Sequence, residues 1–283
     1  MPNPPDAAAE GEDAVLYEAT PAGVAIVTLN RPERLNAWGP DMAHAFYAAV
    51  DRAERDAAIK VIVVTGRGRA FCAGAHLGSS ESSGGVGKSV ESAGGKSLAD
   101  LVGDRPPHFV TELRKPVIAA INGPCVGIGL TQALMCDIRF AAAGAKFGAV
   151  FARRGLIAEF GISWILPRLA GWGVALELLL SGRTFLADEA AALGLVKEVV
   201  PPEDLMPRVL EYAEDIAKYC SPTAMAVIKR QAYGDATRDV AAATADAEAL
   251  MWEALPRPDV VEGIVSFLQK RPPQFPPLSP SEG

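Results

Sequence analysis

The sequence predicts an α/β fold whose first half is rich in strands and whose second half is helical. Three observations predict it. Runs of β-branched residues at 24–29, 61–65 and 117–121 have the length and composition of strands. Between the first two, residues 41–57 place Met42, Phe46, Val50 and Ala53 on one apolar stripe behind Pro40, a residue suited to a first helical turn. Beyond Ala187, the segments 203–219, 221–233, 238–255 and 259–270 read as helices. With 283 residues, 49% of them hydrophobic, the chain can bury a large core, as one large domain or as a domain with an appendage.

Taken in order, residues 1–13 read as a disordered tail. Prolines and acids stand there instead of the positive charge and apolar stretch of an export signal, so export is not expected. The strand at 61–65 leads to Ala70-Phe71-Cys72-Ala73-Gly74-Ala75-His76-Leu77, and the strand at 117–121 runs into Ile121-Asn122-Gly123-Pro124-Cys125-Val126-Gly127-Ile128-Gly129. Both are tight turns of small residues, and 130–136 after the second reads as a buried helix. Glycine at such a junction permits positive φ and close approach of a ligand to the backbone, while a helix start adds positive potential. One developing negative oxygen fits between two such turns, as in an oxyanion hole; two ordinary tight turns are the plain alternative. Residues 78–95, dense in Ser and Gly without an apolar period, read as a mobile loop. The apolar stretch 116–136 is long enough to cross a bilayer, but Asn122, Gly123, Pro124, Gly127, Gly129, Thr131 and Gln132 divide it into strand, turn and helix. No membrane segment is expected. The Pro-rich end, 272–283, reads as an extended or disordered tail.

Composition excludes several functions. A net charge of −7 argues against nucleic acid as the main partner, because binding phosphates needs a basic face. The four cysteines, Cys72, Cys125, Cys136 and Cys220, show no metal-type pairing, and with three histidines no zinc cluster is evident. A reducing cytoplasm is the simplest location. Gly94-Gly95-Lys96-Ser97 resembles the end of a phosphate loop, but Val90 stands where its first glycine belongs. The order of glycines from Gly123 to Gly129 is not the dinucleotide fingerprint either.

Six groups of residues, in order, carry a resemblance. They are Leu29-Asn30-Arg31-Pro32 with Leu35-Asn36-Ala37; Phe71-Cys72-Ala73-Gly74-Ala75; Lys115-Pro116-Val117-Ile118-Ala119-Ala120-Ile121-Asn122-Gly123; Cys136-Asp137-Ile138; Ala190-Ala191-Ala192-Leu193-Gly194-Leu195-Val196; and Glu262-Gly263 to Phe267 with Lys270-Arg271. From about Val24 to Phe275 the chain resembles the crotonase, or enoyl-CoA hydratase/isomerase, superfamily. The resemblance implies a crotonase-type spiral of ββα units over residues 14–200, a C-terminal helical oligomerisation segment over 201–271, and a homotrimer or dimer of trimers. It implies an acyl-CoA substrate of the kind met in fatty acid metabolism, with coenzyme A as part of the substrate and no further cofactor or metal. The loop at 78–95 corresponds to one that closes over the acyl chain, so a lid stands beside a passive linker.

By the same resemblance, the amides of Ala75 and Ile128 form the oxyanion hole. Family members often have glycine at the second position, but any residue except proline keeps the donor. The two hydratase glutamates fall on Thr131 and Phe151, neither of which can act as a general base near neutral pH. One acid remains: Glu159, in Gly155-Leu156-Ile157-Ala158-Glu159-Phe160-Gly161, falls where dienoyl-CoA isomerases of the family carry an aspartate. Ile157, Phe160 and Trp164 around it would desolvate the carboxylate and raise its pKa; capping a helix that begins near Gly161, or pairing with Arg153 or Arg154, is the alternative. His76, where the family usually has aspartate, is a second candidate acid or base. Arg34, Leu35, Ala73, Ala75, His76 and Leu77 match the CoA-lining positions, Phe267 an acyl-pocket position and Lys270 a phosphate-binding lysine, often of a neighbouring subunit. For Arg34 and Lys270 a solvated surface charge is the alternative. A hydratase, an isomerase and a non-catalytic acyl-CoA-binding protein all remain open on the sequence.

Overall fold

A computed structural model of the chain describes residues 13–75, 105–106 and 108–279; the loop expected at 78–95 lies outside them. The strands are β1 (Val15–Ala19), β2 (Val24–Leu29), β3 (Val61–Gly66), β4 (Val117–Ile121), β5 (Cys125–Val126), β6 (Ile138–Ala142), β7 (Lys146–Gly148), β8 (Thr184–Leu186) and β9 (Glu198–Val200). A six-stranded sheet has the order β1-β2-β3-β4-β6-β9, with β1 antiparallel to β2 and every other pair parallel. A small second sheet, β5-β7-β8, stands beside it.

The helices are α1 (Pro40–Arg55), α2 (Phe109–Glu112), α3 (Ile128–Met135), α4 (Ile162–Ala170), α5 (Trp172–Ser181), α6 (Ala187–Ala192), α7 (Leu205–Tyr219), α8 (Pro222–Gly234), α9 (Val240–Ala254) and α10 (Pro258–Gln269). Every residue of β3 and β4 is buried, as expected of parallel strands covered on both faces. The alternation of side chains sorts them between two cores. Ile62, Val64, Ala119 and Ile121 join Met42, Phe46, Val50 and Ala53 of α1 on one face. Val61, Val63, Ile118 and Ala120 meet Leu205, Val209, Ala213 and Ala217, one stripe of α7, on the other. The strands expected at 24–29, 61–65 and 117–121 and the apolar stripe of α1 are therefore present where the sequence puts them.

Boundaries shift for local reasons. The helix expected over 41–57 stops at Arg55, because Asp56 turns to extended backbone (φ −76°, ψ 111°) and its carboxylate accepts the Ala58 amide at 2.9 Å. The buried helix expected from residue 130 starts at Ile128. Residues 116–136 form β4, β5 and α3 in turn, and no helix of the described residues is long and apolar enough to cross a membrane. In the Pro-rich segment, Leu278 is buried and Arg114 Nη1 donates to Ser279 O at 2.8 Å, which docks this stretch on the body.

Candidate active site

Parallel neighbours β3 and β4 end at the same edge of the sheet, so the turns that follow them meet. Cys72 N donates to Pro124 O and Val126 N donates to Cys72 O, each at 3.0 Å, a parallel bridge between Cys72 and Cys125. On its other side the first turn is tied to the segment after β2: Ala73 N donates to Leu35 O (3.0 Å) and Trp38 N to Gly74 O (2.8 Å). Across a trans peptide the C=O and N–H point in opposite directions. With the Gly74 carbonyl turned to Trp38, the Ala75 amide points away from it, and the second turn lies close by, the Gly74 Cα being 3.9 Å from the point a Cβ on Gly127 would occupy. The second turn repeats the logic. Gly127 O accepts Thr131 N at 3.1 Å into the helix, so the Ile128 N–H, at the first position of α3 and without an intrahelical acceptor, points out of the helix start.

Two glycines make this approach possible. Gly127 has φ +57° and ψ −123°, a conformation that side chains disfavour. A Cβ on Gly129 would stand 2.2 Å from Cys72 O, so only glycine lets the first turn lie against α3.

The positions that would hold two glutamates are apolar or satisfied. Thr131 is fully buried and its hydroxyl donates back to Gly127 O at 3.4 Å. Phe151 is 5% exposed within the larger core.

Glu159 sits in the turn before α4. That turn packs on the end of α3: a Cβ on Gly161 would lie 3.3 Å from Met135 Cε. Phe160, with φ +59°, and Trp164 pack against the core, whereas Ile157 is 80% exposed and shields nothing. The Glu159 carboxylate is half-buried, and this desolvation pushes its pKa above the ordinary 4.5. Neither alternative role is present: Gly161 caps α4 with no side-chain bond, Arg153 Nε donates to Ser181 O, and no ion pair joins Glu159 to Arg153 or to Arg154. Among the described residues the carboxylate has no hydrogen-bond or ion-pair partner.

Arg34 and Leu35 occupy a short turn beside the first of these loops. Leu35 and Asn36 both have positive φ (51° and 55°), and the buried Asn36 side chain offsets that strain by accepting Arg31 N (2.8 Å) and donating to Arg67 O (3.0 Å) and Ala70 O (2.8 Å). Arg34 is exposed, next to Leu35, which is tied to Ala73. His76 and Leu77 lie outside the described residues. Phe267, 81% exposed, and exposed Lys270 lie at the end of α10; that helix is fixed to Ser221 through Asp259 and to Gln274 through Glu262, not to the two turns. Gln132, which the sequence reading named only as a break in the apolar stretch, is a buried polar side chain inside α3.

A family model described as enoyl-CoA hydratase/isomerase matches residues 19–277. The solved structure of an enoyl-CoA hydratase from Mycobacterium marinum is 73% identical, superposes with a TM-score of 0.67, and covers 80% of this chain and 100% of its own. An enoyl-CoA hydratase of Alternaria alternata is 36% identical over 258 residues, 89% of this chain and 83% of the relative. The 1,2-epoxyphenylacetyl-CoA isomerase of Escherichia coli is 36% identical over 261 residues, 89% of this chain and 95% of the relative.

Proposed function

Because the chain belongs to the enoyl-CoA hydratase/isomerase family and has its crotonase-type fold, we propose that it moves protons on an acyl-CoA thioester through an enolate held by the Ala75 and Ile128 amides, with Glu159 as acid and base. The observation that carries this reading is the Glu159 carboxylate: half-buried, unpaired among the described residues and raised in pKa, while Thr131 and Phe151 offer no proton-transfer group. A double-bond shift needs no more than this. Glu159 takes a proton from the α carbon of a 3-enoyl-CoA, negative charge gathers on the thioester oxygen between the two amides, and the carboxylic acid returns the proton at the γ carbon. Hydration is the second reading, favoured by the relatives named hydratases; here Glu159 alone would activate the water.

Arg34, Leu35, Ala73, Ala75, His76 and Leu77 line the CoA in this reading, and Phe267 and Lys270 approach it from the C-terminal segment. By its family resemblance we assign the protein to a trimer or dimer of trimers, and α9, which buries none of its residues within one chain, is the helix offered to the subunit contact. A reducing cytoplasm suits its four free thiols. The test is to incubate the protein with a 3-enoyl-CoA and with crotonyl-CoA and follow the conjugated-thioester absorbance. Gain of absorbance from the 3-enoyl-CoA is expected. Loss from crotonyl-CoA alone would favour hydration, and binding without conversion of either would overturn the enzymatic reading.

A further inference from the structure

Gln132 is 5% exposed, and among the described residues neither its Nε2 nor its Oε1 has a hydrogen-bonding partner. A primary amide carries two donors and an acceptor with two lone pairs, and buried groups of this kind are rarely left unmade in native proteins. Where one is, a function that uses the group is a reason to look for a ligand. Its position supplies the ligand. Ile128, Gln132 and Met135 are spaced i, i+4, i+7 and share one face of α3. At one end of that face Ile128 begins the helix with its outward amide; at the other, Met135 Cε meets the Gly161 turn, two residues past Glu159. Gln132 thus lies about 6 Å along the helix axis from the Ile128 amide, by the rise of about 1.5 Å per residue, on the way to the acid.

We propose that Gln132 is a specificity-determining residue that hydrogen-bonds an oxygen on the acyl portion of the substrate, a hydroxyl, keto or ether-type oxygen a few carbons beyond the thioester. The proposal rests on the acyl-CoA reading given above. A site that offers a buried amide to such an oxygen discriminates strongly against the analogue that lacks it, because the amide is then left unpaired. Plain hydrocarbon chains are therefore expected to bind less tightly than their oxygenated counterparts while still being turned over.

Binding, not turnover, tests this. Hexanoyl-CoA and a set of its hydroxylated counterparts, with the hydroxyl at C4, C5 or C6 and so beyond the carbons that react, are titrated calorimetrically into the wild-type protein and into Gln132→Leu and Gln132→Met. In the wild type at least one hydroxylated thioester is expected to bind about tenfold or more tightly than hexanoyl-CoA, as expected for a polar group met by a buried partner. Both variants should lose that preference while keeping hexanoyl-CoA affinity within about threefold, and both should melt no lower than the wild type, since they replace an unpaired buried amide with an apolar side chain of similar size. Absence of any preference in the wild type, its survival in the variants, or a marked fall in the melting temperature of both variants would overturn the role of Gln132 and leave the acyl-CoA reading standing. Failure of every thioester to bind the wild type would overturn both.

Discussion

A carboxylate half out of water, with no cation beside it among the described residues, resists ionisation, and that fact about Glu159 fixes the direction of its pH effects. As a base it must be ionised, so kcat/KM should fall on the acid side with an apparent pKa above 4.5. Stability should move the other way. Between 4.5 and the raised value the folded protein holds a proton the unfolded chain has released, so stability declines as pH rises through that window. Glu159→Gln should remove both dependences, keep acyl-CoA affinity, and lower turnover by about 10²–10⁴ with a parallel loss of deuterium exchange at the α carbon; steady-state kinetics across pH and exchange followed by mass spectrometry check this, and parental turnover would reassign the proton to His76 or to water. Ile128 is expected to act through its backbone alone. Ile128→Gly should therefore retain appreciable activity, whereas Ile128→Pro should lose about 10²–10³ in rate with the donor; a folded proline variant at the parental rate would remove Ile128 from the hole. Glu159 is proposed as the acid from the likeness of its segment to that of the family's dienoyl-CoA isomerases. Its lack of a partner among the described residues was not legible in the sequence, since it depends on where Arg153 is drawn by Ser181, 28 positions away in the chain.

At the scale of elements, the start of β4 is pinned by the carboxylate of the residue just before β6, its neighbour in the sheet. Asp137 Oδ2 accepts Val117 N (2.7 Å) and the buried Lys229 ammonium (2.8 Å), and its Oδ1 accepts the Tyr233 hydroxyl (3.0 Å), which joins β4, β6 and α8. Removing the acid leaves Lys229 charged, 7% exposed and unneutralised. Asp137→Ala is therefore expected to cost about 3–5 kcal/mol in denaturant unfolding, the range for one partner of a buried pair, and Lys229→Met with Asp137→Asn should recover part of it. The sequence motif Cys136-Asp137-Ile138 announced this residue without its reason, because Lys229 and Tyr233 reach it from α8. Strands β2, β3 and β4 were legible as continuous apolar runs. The three-residue strands β7, β8 and β9 are too short to show a period, and β1 lies at the edge of the sheet with only Val15 buried, so neither announced itself. The four helices expected beyond Ala187 are present as α7, α8, α9 and α10, with ends that differ by a residue or two because caps, not periods, set them, whereas α5 and α6 were not read as helices and α4 only by its start near Gly161.

For the whole molecule, the outstanding feature of one chain is how much apolar surface its C-terminal helices leave in water. Val240 is 82% exposed, Trp252 63%, Ile264 56%, Phe267 81% and Leu268 72%. Monomers seldom carry so large an apolar surface, and this is why the proposed subunit contact is placed here. Sedimentation should give a trimer or hexamer, and Trp252→Glu should shift it towards monomer; a monomeric parent would contradict the assignment. Lys270→Ala should weaken acyl-CoA binding in calorimetry, more at low salt than at high, as a screened charge on a phosphate would; a loss independent of salt would speak for a packing role instead. The organisation of the chain into a sheet-bearing body followed by helices was legible, but the exposure of α9 was not, because a stripe in a sequence says that a face is apolar and not what covers it. The place of α7 has a further consequence. It supplies the cover for one whole face of the sheet, where Val24, Val61, Val63, Ile118, Ala120 and Phe140 wait for Leu205, Val209, Ala213 and Ala217. During synthesis those strands leave the ribosome long before Tyr219 does, so for most of translation the nascent chain displays a greasy, half-finished surface. A chain halted before Leu205 is therefore expected to aggregate rather than fold.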